Sequence, residues 1–290
     1  MTSVQHPLDK AGDSGLPLIN YRAADAPQAF FNSLKHYGFA TLISHPLDMQ
    51  RVHRIYTEWR ALFRKGVAPE FAMDPLMQDG YYGLAQAESA KGQRVRDYKE
   101  YFQFYSCGRC PSHLRSDMEA HFADCLSFAE TLLAWVAQNL PQSVVGSFSE
   151  PLESMIEDSL KTMLRVLHYP PVEPGSTLPR AAPHEDINLL TILPASDGPG
   201  LELQLSDGQW IEVTHRPSQV VVNIGDMLQE VTGGFVRSTT HRVASPTEGQ
   251  LMRGRMSLPF FLHPRSEVVL SSRHTAESYL TERLRELGII

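Results

Sequence analysis

The sequence predicts a mainly β protein with flanking helices and a jelly-roll core. Up to about residue 160 the apolar residues recur at helical spacing. Beyond it, short runs rich in branched and aromatic residues alternate with turn residues, the pattern of a closed or double-sheet β structure. A 290-residue chain with 42% hydrophobic and 20% charged residues has ample material for one large core.

Taken in order, "PQAFFNSLKHYGFATLI" begins as an amphipathic helix, reaches Gly38 and becomes a short apolar strand, Phe39 to Ile43. "DMQRVHRIYTEWRALFRKG" sets Val52, Ile55, Tyr56, Trp59, Leu62 and Phe63 at helical spacing, with Asp48 as N-cap and Gly66 as stop. "SDMEAHFADCLSFAETLLAWVAQNL" is the longest helical pattern. Its Phe122, Leu126, Leu132, Leu133 and Val136 suit a helix laid along a sheet, and His53, His113 and His121 read as surface or boundary residues of these helices. "KTMLRVLHY" is a strand stopped by Pro170-Pro171, and "LELQLSDGQWIEV" is a hairpin turning at Ser206-Asp207-Gly208. "SQVVVNIGD" and "RMSLPFFLH" are further strands. "TAESYLTERLRELG" returns to helix from Thr275 to Leu287, with an apolar stripe expected to pack on the protein. No linker rich in Pro, Gly and Ser divides the chain. The expectation is one catalytic domain over 1–290: a helix-rich part to about 160, a β core over about 161–270 and a terminal helix over 271–290.

A net charge of -7 argues against nucleic acid as main partner, and no apolar run approaches the ~20 residues that span a bilayer. The polar start, MTSVQHPLDKAGDSG, lacks the apolar core of a signal peptide, and three cysteines do not make a disulfide framework, so the chain reads as cytoplasmic. Cys107 and Cys110 form a C-x-x-C without a second pair, and are read as incidental loop cysteines.

The chemistry concentrates in "PHEDINLLTIL". In a strand His184 and Asp186 point one way and Glu185 the other, so one metal ion can reach both. That spacing is common by chance, and a third ligand is needed. His241, opening a later strand, supplies it. Two histidines and a carboxylate leave three positions open on a metal, as in non-haem Fe(II) oxygenases, although the same set can hold zinc or manganese. Arg255 and Ser257 repeat the i, i+2 spacing. Together they offer a forked pair of donors and a hydroxyl to a carboxylate, with Tyr169 as a further candidate donor. Taken alone, Arg255 equally suits a surface ion pair. Asn223, Gly225 and Asp226 read as a structural turn, Arg242 as a structural ion pair, and His168, His215 and His263 as non-ligands.

As an ordered set, His184-x-Asp186, His241 and Arg255-x-Ser257 resemble the motifs of the isopenicillin N synthase-like 2-oxoglutarate/Fe(II) dioxygenases. "GDSGLPLIN", "HYGFATLISH", "DYKEYFQFY", "LRVLHYPP" and "YLTERLRELG" follow that family's pattern in order, over nearly the whole chain. The resemblance implies a distorted double-stranded β-helix flanked by helices. It implies Fe(II) on His184, Asp186 and His241, and 2-oxoglutarate as cosubstrate with its distal carboxylate on Arg255 and Ser257 near Tyr169. Leu167 departs from the asparagine of many plant members. It further implies that O2 and a small-molecule substrate meet at the metal for hydroxylation, desaturation or cyclisation. The segment "DGYYGLAQAESAKGQRVRDYKEYFQFY" caps the barrel mouth in that family, which makes Tyr81, Tyr82, Lys99, Phe102 and Phe104 candidates for contact with a small amphipathic acid. Two alternatives stand beside this reading: an oxidase that needs no 2-oxoglutarate and spends Arg255 on its substrate, and a non-catalytic metal- or ligand-binding β-helix protein.

Overall fold

The structure is a computed structural model, and it describes residues 15–86, 97–173, 180–246 and 254–288. Thirteen strands and six α-helices are described: β1 Leu18–Asn20, α1 Ala26–Tyr37, β2 Phe39–Ile43, α2 Met49–Lys65, β3 Gly80–Tyr82, β4 Glu100–Tyr105, α3 Ser112–Asn139, α4 Gln142–Val145, β5 Met163–Tyr169, β6 Ala181–His184, β7 Leu190–Pro194, β8 Leu201–Gln204, β9 Trp210–Glu212, β10 Val220–Ile224, α5 Asp226–Val231, β11 His241–Val243, β12 Arg255–Ser257, β13 Phe260–Leu262 and α6 Ala276–Glu286. The large sheet runs β1-β2-β10-β7-β13-β5-β4-β3, with β12 also paired to β5; the small sheet runs β6-β11-β8-β9. Residues of both sheets line one cavity, the arrangement of a jelly roll.

The local signals place the elements. Asp48 caps α2 by accepting from the amides of Gln50 and Arg51, and Gly38 ends α1 in the left-handed region at φ 69°. A β-carbon on Gly38 would also fall 2.1 Å from Thr239 Oγ1, so only glycine lets the chain pass from α1 into β2 here. The expected single strand "RMSLPFFLH" is two, β12 and β13, with Pro259 between them because proline cannot donate to the ladder. The first part is less helical than its periodicity predicts: β1 to β4 all join the large sheet.

One hydrophobic core takes residues from both halves. Phe30, Phe31 and Leu34 of α1, Ile55 and Trp59 of α2 and Met118, Phe128 and Leu132 of α3 pack with Ile192, Val222 and Phe260 of the sheet. Trp59, Phe102, Phe104 and Phe260 are completely buried. Each such side chain contributes roughly 1.5–3 kcal/mol relative to exposure. Helices α1, α2 and α3 thus form a platform behind the large sheet, and the cavity opens on its other side.

His121 is the exception in that core. It was expected at a helix surface but is wholly buried in α3, its Nε2 3.5 Å from Cys125 Sγ and its Nδ1 without a hydrogen-bond partner among the described residues. Burial, with Arg51 nearby, pulls the imidazole down to about 4. A histidine depressed from 6.5 on folding leaves stability intact above pH 6.5 and removes it as the pH falls towards 4. The loss attributable to this one side chain is about 2 kcal/mol at pH 5. In His121→Leu, the fall in unfolding free energy between pH 7 and pH 5, measured by urea titration, should shrink by about that amount. An equal fall in both proteins would count against this account.

Candidate active site

The ligand-type side chains come together from three pieces of chain. His184 ends β6 and His241 opens β11; the two are direct cross-strand partners, and their rings lie 4.4 Å apart. Asp186 is not on a strand, contrary to the spacing argument: β6 stops at His184 and β7 begins only at Leu190. The loop between them turns the carboxylate back towards the histidines. Asp186 Oδ1 lies 3.9 Å from His184 Nε2, and Oδ2 lies 3.7 Å from His241 Nε2. The three donor atoms all fall within 4.8 Å of one another, and among the described residues no other group of three could hold a metal.

Each histidine is held by its other nitrogen. His184 Nδ1 is 2.8 Å from the carbonyl of Ala182 and His241 Nδ1 is 3.1 Å from that of Thr239, so both Nδ1 atoms donate and both Nε2 lone pairs face Asp186. Burial, followed by the neighbouring His241, lowers His184 to about 4, although 40% of its side chain opens on the cavity and water there tempers the effect. Its ring is neutral at ordinary pH, the form that binds metal. Asp186 is 6% exposed. Burial alone would raise its pKa, but the facing imidazoles and hydrogen bonds from Asn223 and Thr191 outweigh it and hold the carboxyl below its usual range. Thr191 Oγ1 donates to Asp186 Oδ2 at 2.6 Å and Asn223 Nδ2 donates to the same oxygen at 2.8 Å, while Asn188 Nδ2 donates to Thr191 at 2.9 Å.

Across the cavity β12 pairs with β5, setting Arg255 opposite Tyr169 and Ser257 opposite Leu167. Arg255 is 2% exposed; its guanidinium carbon stands 5.3 Å from the centre of the Tyr169 ring and its Nε donates to the carbonyl of Gly198 at 3.1 Å. Its Nη1 is buried without a partner among the described residues, and burial lowers its pKa. A buried, half-satisfied guanidinium is costly unless an anion completes it. His184, Asp186, His241, Arg255, Ser257 and Tyr169 all line one cavity of about 470 Å³. The donor sets suit a divalent cation on one side and a carboxylate on the other.

The remaining sequence candidates separate. Lys99 lines the cavity, its Nζ 2.7 Å from Asp97 Oδ2, while Asp97 Oδ1 accepts the amide of Ala182. Tyr81, Tyr82, Phe102 and Phe104 do not line it. Phe102 and Phe104 face the helical core, against Trp59 and Phe122, because strand alternation sends them to the opposite side from Lys99 and Tyr101. Tyr81 bonds Glu100, and Tyr82 stacks on Tyr101 at 4.6 Å. Residues 87–96 of the expected cap lie outside the described residues. His168 pairs with Glu100 at 2.8 Å, and Arg242 with Glu202 at 2.6 Å. His263 lines the cavity but gives its Nδ1 to the carbonyl of Phe261. Cys107, Cys110 and Cys125 are free, and burial pushes the Cys110 thiol up to about 12. Asn223, expected in a structural turn, instead sits in β10 and joins Thr191 as a partner of Asp186; the signal for both is one polar residue inside each of two apolar strands, "LLTIL" and "VVVNI".

Known proteins decide what the cavity belongs to. The model of the 2OG-Fe(II) oxygenase superfamily matches residues 161–264, which contain both halves of the site. A candidate oxygenase from Shewanella oneidensis is 45% identical over 95% of this chain and 99% of that one, with a TM-score of 0.86. The chain belongs to the 2OG-Fe(II) oxygenase superfamily. A 2OG-Fe(II) oxygenase family protein from Caulobacter crescentus is 27% identical, covering 94% of this chain and 99% of its own, with a TM-score of 0.76. Gibberellin 2-beta-dioxygenase 4 of Arabidopsis thaliana is 26% identical over 88% of this chain and 81% of its own. This superfamily member is therefore a dioxygenase with a double-stranded β-helix core that uses Fe(II) and 2-oxoglutarate to oxidise a small molecule. Among the described residues no helix is long and apolar enough to cross a membrane.

Proposed function

We propose that His184, Asp186 and His241 hold the Fe(II), that Arg255, Ser257 and Tyr169 hold the distal carboxylate of 2-oxoglutarate, and that the rest of the cavity takes a small organic substrate. One observation carries this: a three-donor cluster and a buried guanidinium with an unpartnered Nη1 face the same cavity. When bound, iron and the keto acid together activate O2, with succinate and carbon dioxide as co-products of substrate oxidation. The protein's own part is positional. The Ala182 and Thr239 carbonyls fix which imidazole nitrogens face the metal, and Thr191 and Asn223 fix the Asp186 carboxylate. Arg255 has the planar fork that a carboxylate matches, and Ser257, on the same strand face, adds a hydroxyl. Lys99, beside His184 and already paired with Asp97, can donate to a polar group of the substrate. We place these parts in one catalytic domain, supported by a core shared between the halves, working in the cytoplasm without nucleic-acid or membrane partners.

Succinate release in step with oxygen uptake, and a visible absorption on adding 2-oxoglutarate to the anaerobic Fe(II) protein, test the assignment; absence of both would turn Arg255 over to a substrate carboxylate. Asp186→Ala should abolish turnover. Asn223→Ala, which leaves the three donors in place, should weaken Fe(II) about 10- to 100-fold by calorimetric titration. Unchanged Fe(II) affinity there would remove Asn223 from its positioning role. Arg255→Leu leaves a buried carboxylate without its partner, at a cost of roughly 2–5 kcal/mol, and so should weaken 2-oxoglutarate at least about tenfold with Fe(II) affinity little altered. Arg255→Lys should recover only part of that, since an ammonium lacks the fork.

A further inference from the structure

We infer that the C-terminal helix α6 is the wall that recognises the carbon body of the oxidised substrate, and that Arg283 positions it. The inference rests on the function proposed above. Leu280, Leu284 and Leu287 recur at i, i+4 and i+7, the stripe by which a helix ordinarily docks on a core. In α6 only Ala276 is buried. Tyr279 and Leu280 touch the hydrophobic core, Leu284 and Leu287 are half-buried and take no part in it, and Leu280, Leu284 and Leu287 line the cavity together with Arg283 and Glu286. The stripe expected to pack on the protein thus turns half its apolar surface towards the space that holds His184, Asp186 and His241.

The helix is fastened by charge. Arg283 Nη2 lies 3.0 Å from Asp226 Oδ2, and its Nη1 donates to Glu286 at 2.9 Å. Asp226 is 2% exposed, and its amide donates to the carbonyl of Asp186 at 2.8 Å. Arg283 therefore ties α6 to the loop that carries Asp186, next to Leu284 and one turn before Leu287. The occupant of this surface is the substrate itself. A cavity of about 470 Å³ between two sheets and a helix is of the size that takes a small molecule, and Met163, Ile187 and Phe261 add apolar surface to it. The ligand class that follows is a small molecule with an apolar body. Residues 284 and 287 set its fit.

The test uses the full chain, loaded anaerobically with Fe(II) and 2-oxoglutarate and titrated with the fluorescent dye 8-anilinonaphthalene-1-sulfonate. The wild type should bind one dye saturably. Leu284→Glu and Leu287→Glu should each weaken it at least tenfold while the melting temperature stays within about 2 °C, as for side chains that support no packing. Arg283→Ala should weaken the dye as well, and Arg283→Lys should regain part of it. The visible absorption of the Fe(II) and 2-oxoglutarate complex, recorded in parallel, tests the preceding assignment separately. The inference is overturned by a wild type that binds no dye, because the cavity is then closed or filled by the chain. Dye affinity unaltered in the leucine variants overturns it too, as does a larger fall in their melting temperature, which would make them packing residues. Wild-type dye affinity in Arg283→Ala would remove Arg283 from the positioning role.

Discussion

A carboxylate buried to 6% exposure has to be repaid in hydrogen bonds and opposite charge, and much of this molecule's architecture follows from meeting that demand at Asp186. Its two side-chain donors come from neighbouring strands of the large sheet, Thr191 on β7 and Asn223 on β10, which are themselves direct cross-strand partners. A register slip of one residue would turn both to the other face and leave the acid uncompensated. The demand reaches the backbone as well. Asn188, which orients Thr191, lies so close to Gly225 that a β-carbon there would sit 2.1 Å from its Oδ1, and the amides of Gly225 and Asp226 donate to the carbonyls of Leu189 and Asp186. The start of α5 and the loop carrying Asp186 thus hold each other in place.

Arg255 is the same problem with the sign reversed. Its Nε is satisfied by the Gly198 carbonyl and its face by Tyr169, but Nη1 is not, and burial weakens its hold on its proton. Nothing in packing calls for a cation at that point; an apolar side chain of similar volume would cost less. In the proposed arrangement a dianion bridges the two problems, with one end on Arg255 and the keto acid end on a cation held by Asp186. Charges that are each expensive alone then close into a nearly neutral chain across the cavity. The jelly roll suits this, since it brings β12 of one sheet to face β6 and β11 of the other.

Much of this was legible in the sequence, for identifiable reasons. Side-chain alternation put Arg255 and Ser257 on one face, and β12 keeps them there opposite Tyr169 and Leu167. Asp48 as N-cap and the stop at Gly38 marked helix ends, and the helix expected from Thr275 to Leu287 runs from Ala276 to Glu286 with Thr275 as its cap. Alternation failed at Asp186, where the metal-facing geometry comes from an irregular loop that no period describes. It also misdirected the substrate candidates. Phe102 and Phe104 look like a binding surface in sequence, but β4 is an inner strand of the large sheet whose far face is covered by helices, a fact set by long-range pairing with β5. His121 misled for the converse reason: helical spacing says which face a residue shares, not that both faces of a 28-residue helix meet protein.

The way Asp186 is compensated also bears on how metal binding relates to folding. In small zinc domains the ligands have no partner but the metal, so the fold waits for it. Here Thr191, Asn223 and two imidazoles already face the acid, and each histidine is anchored through Nδ1 to a main-chain carbonyl of its own strand end. The large core behind the sheet contains none of these groups. A site whose members are each satisfied by protein can be built before the cation arrives, and binding then need not draw on folding energy. The same preorganisation limits what the cation can rearrange. With both Nε2 atoms and the carboxylate already within 4.8 Å of one another, a cation held by them would call for side-chain adjustment and no rearrangement of the fold.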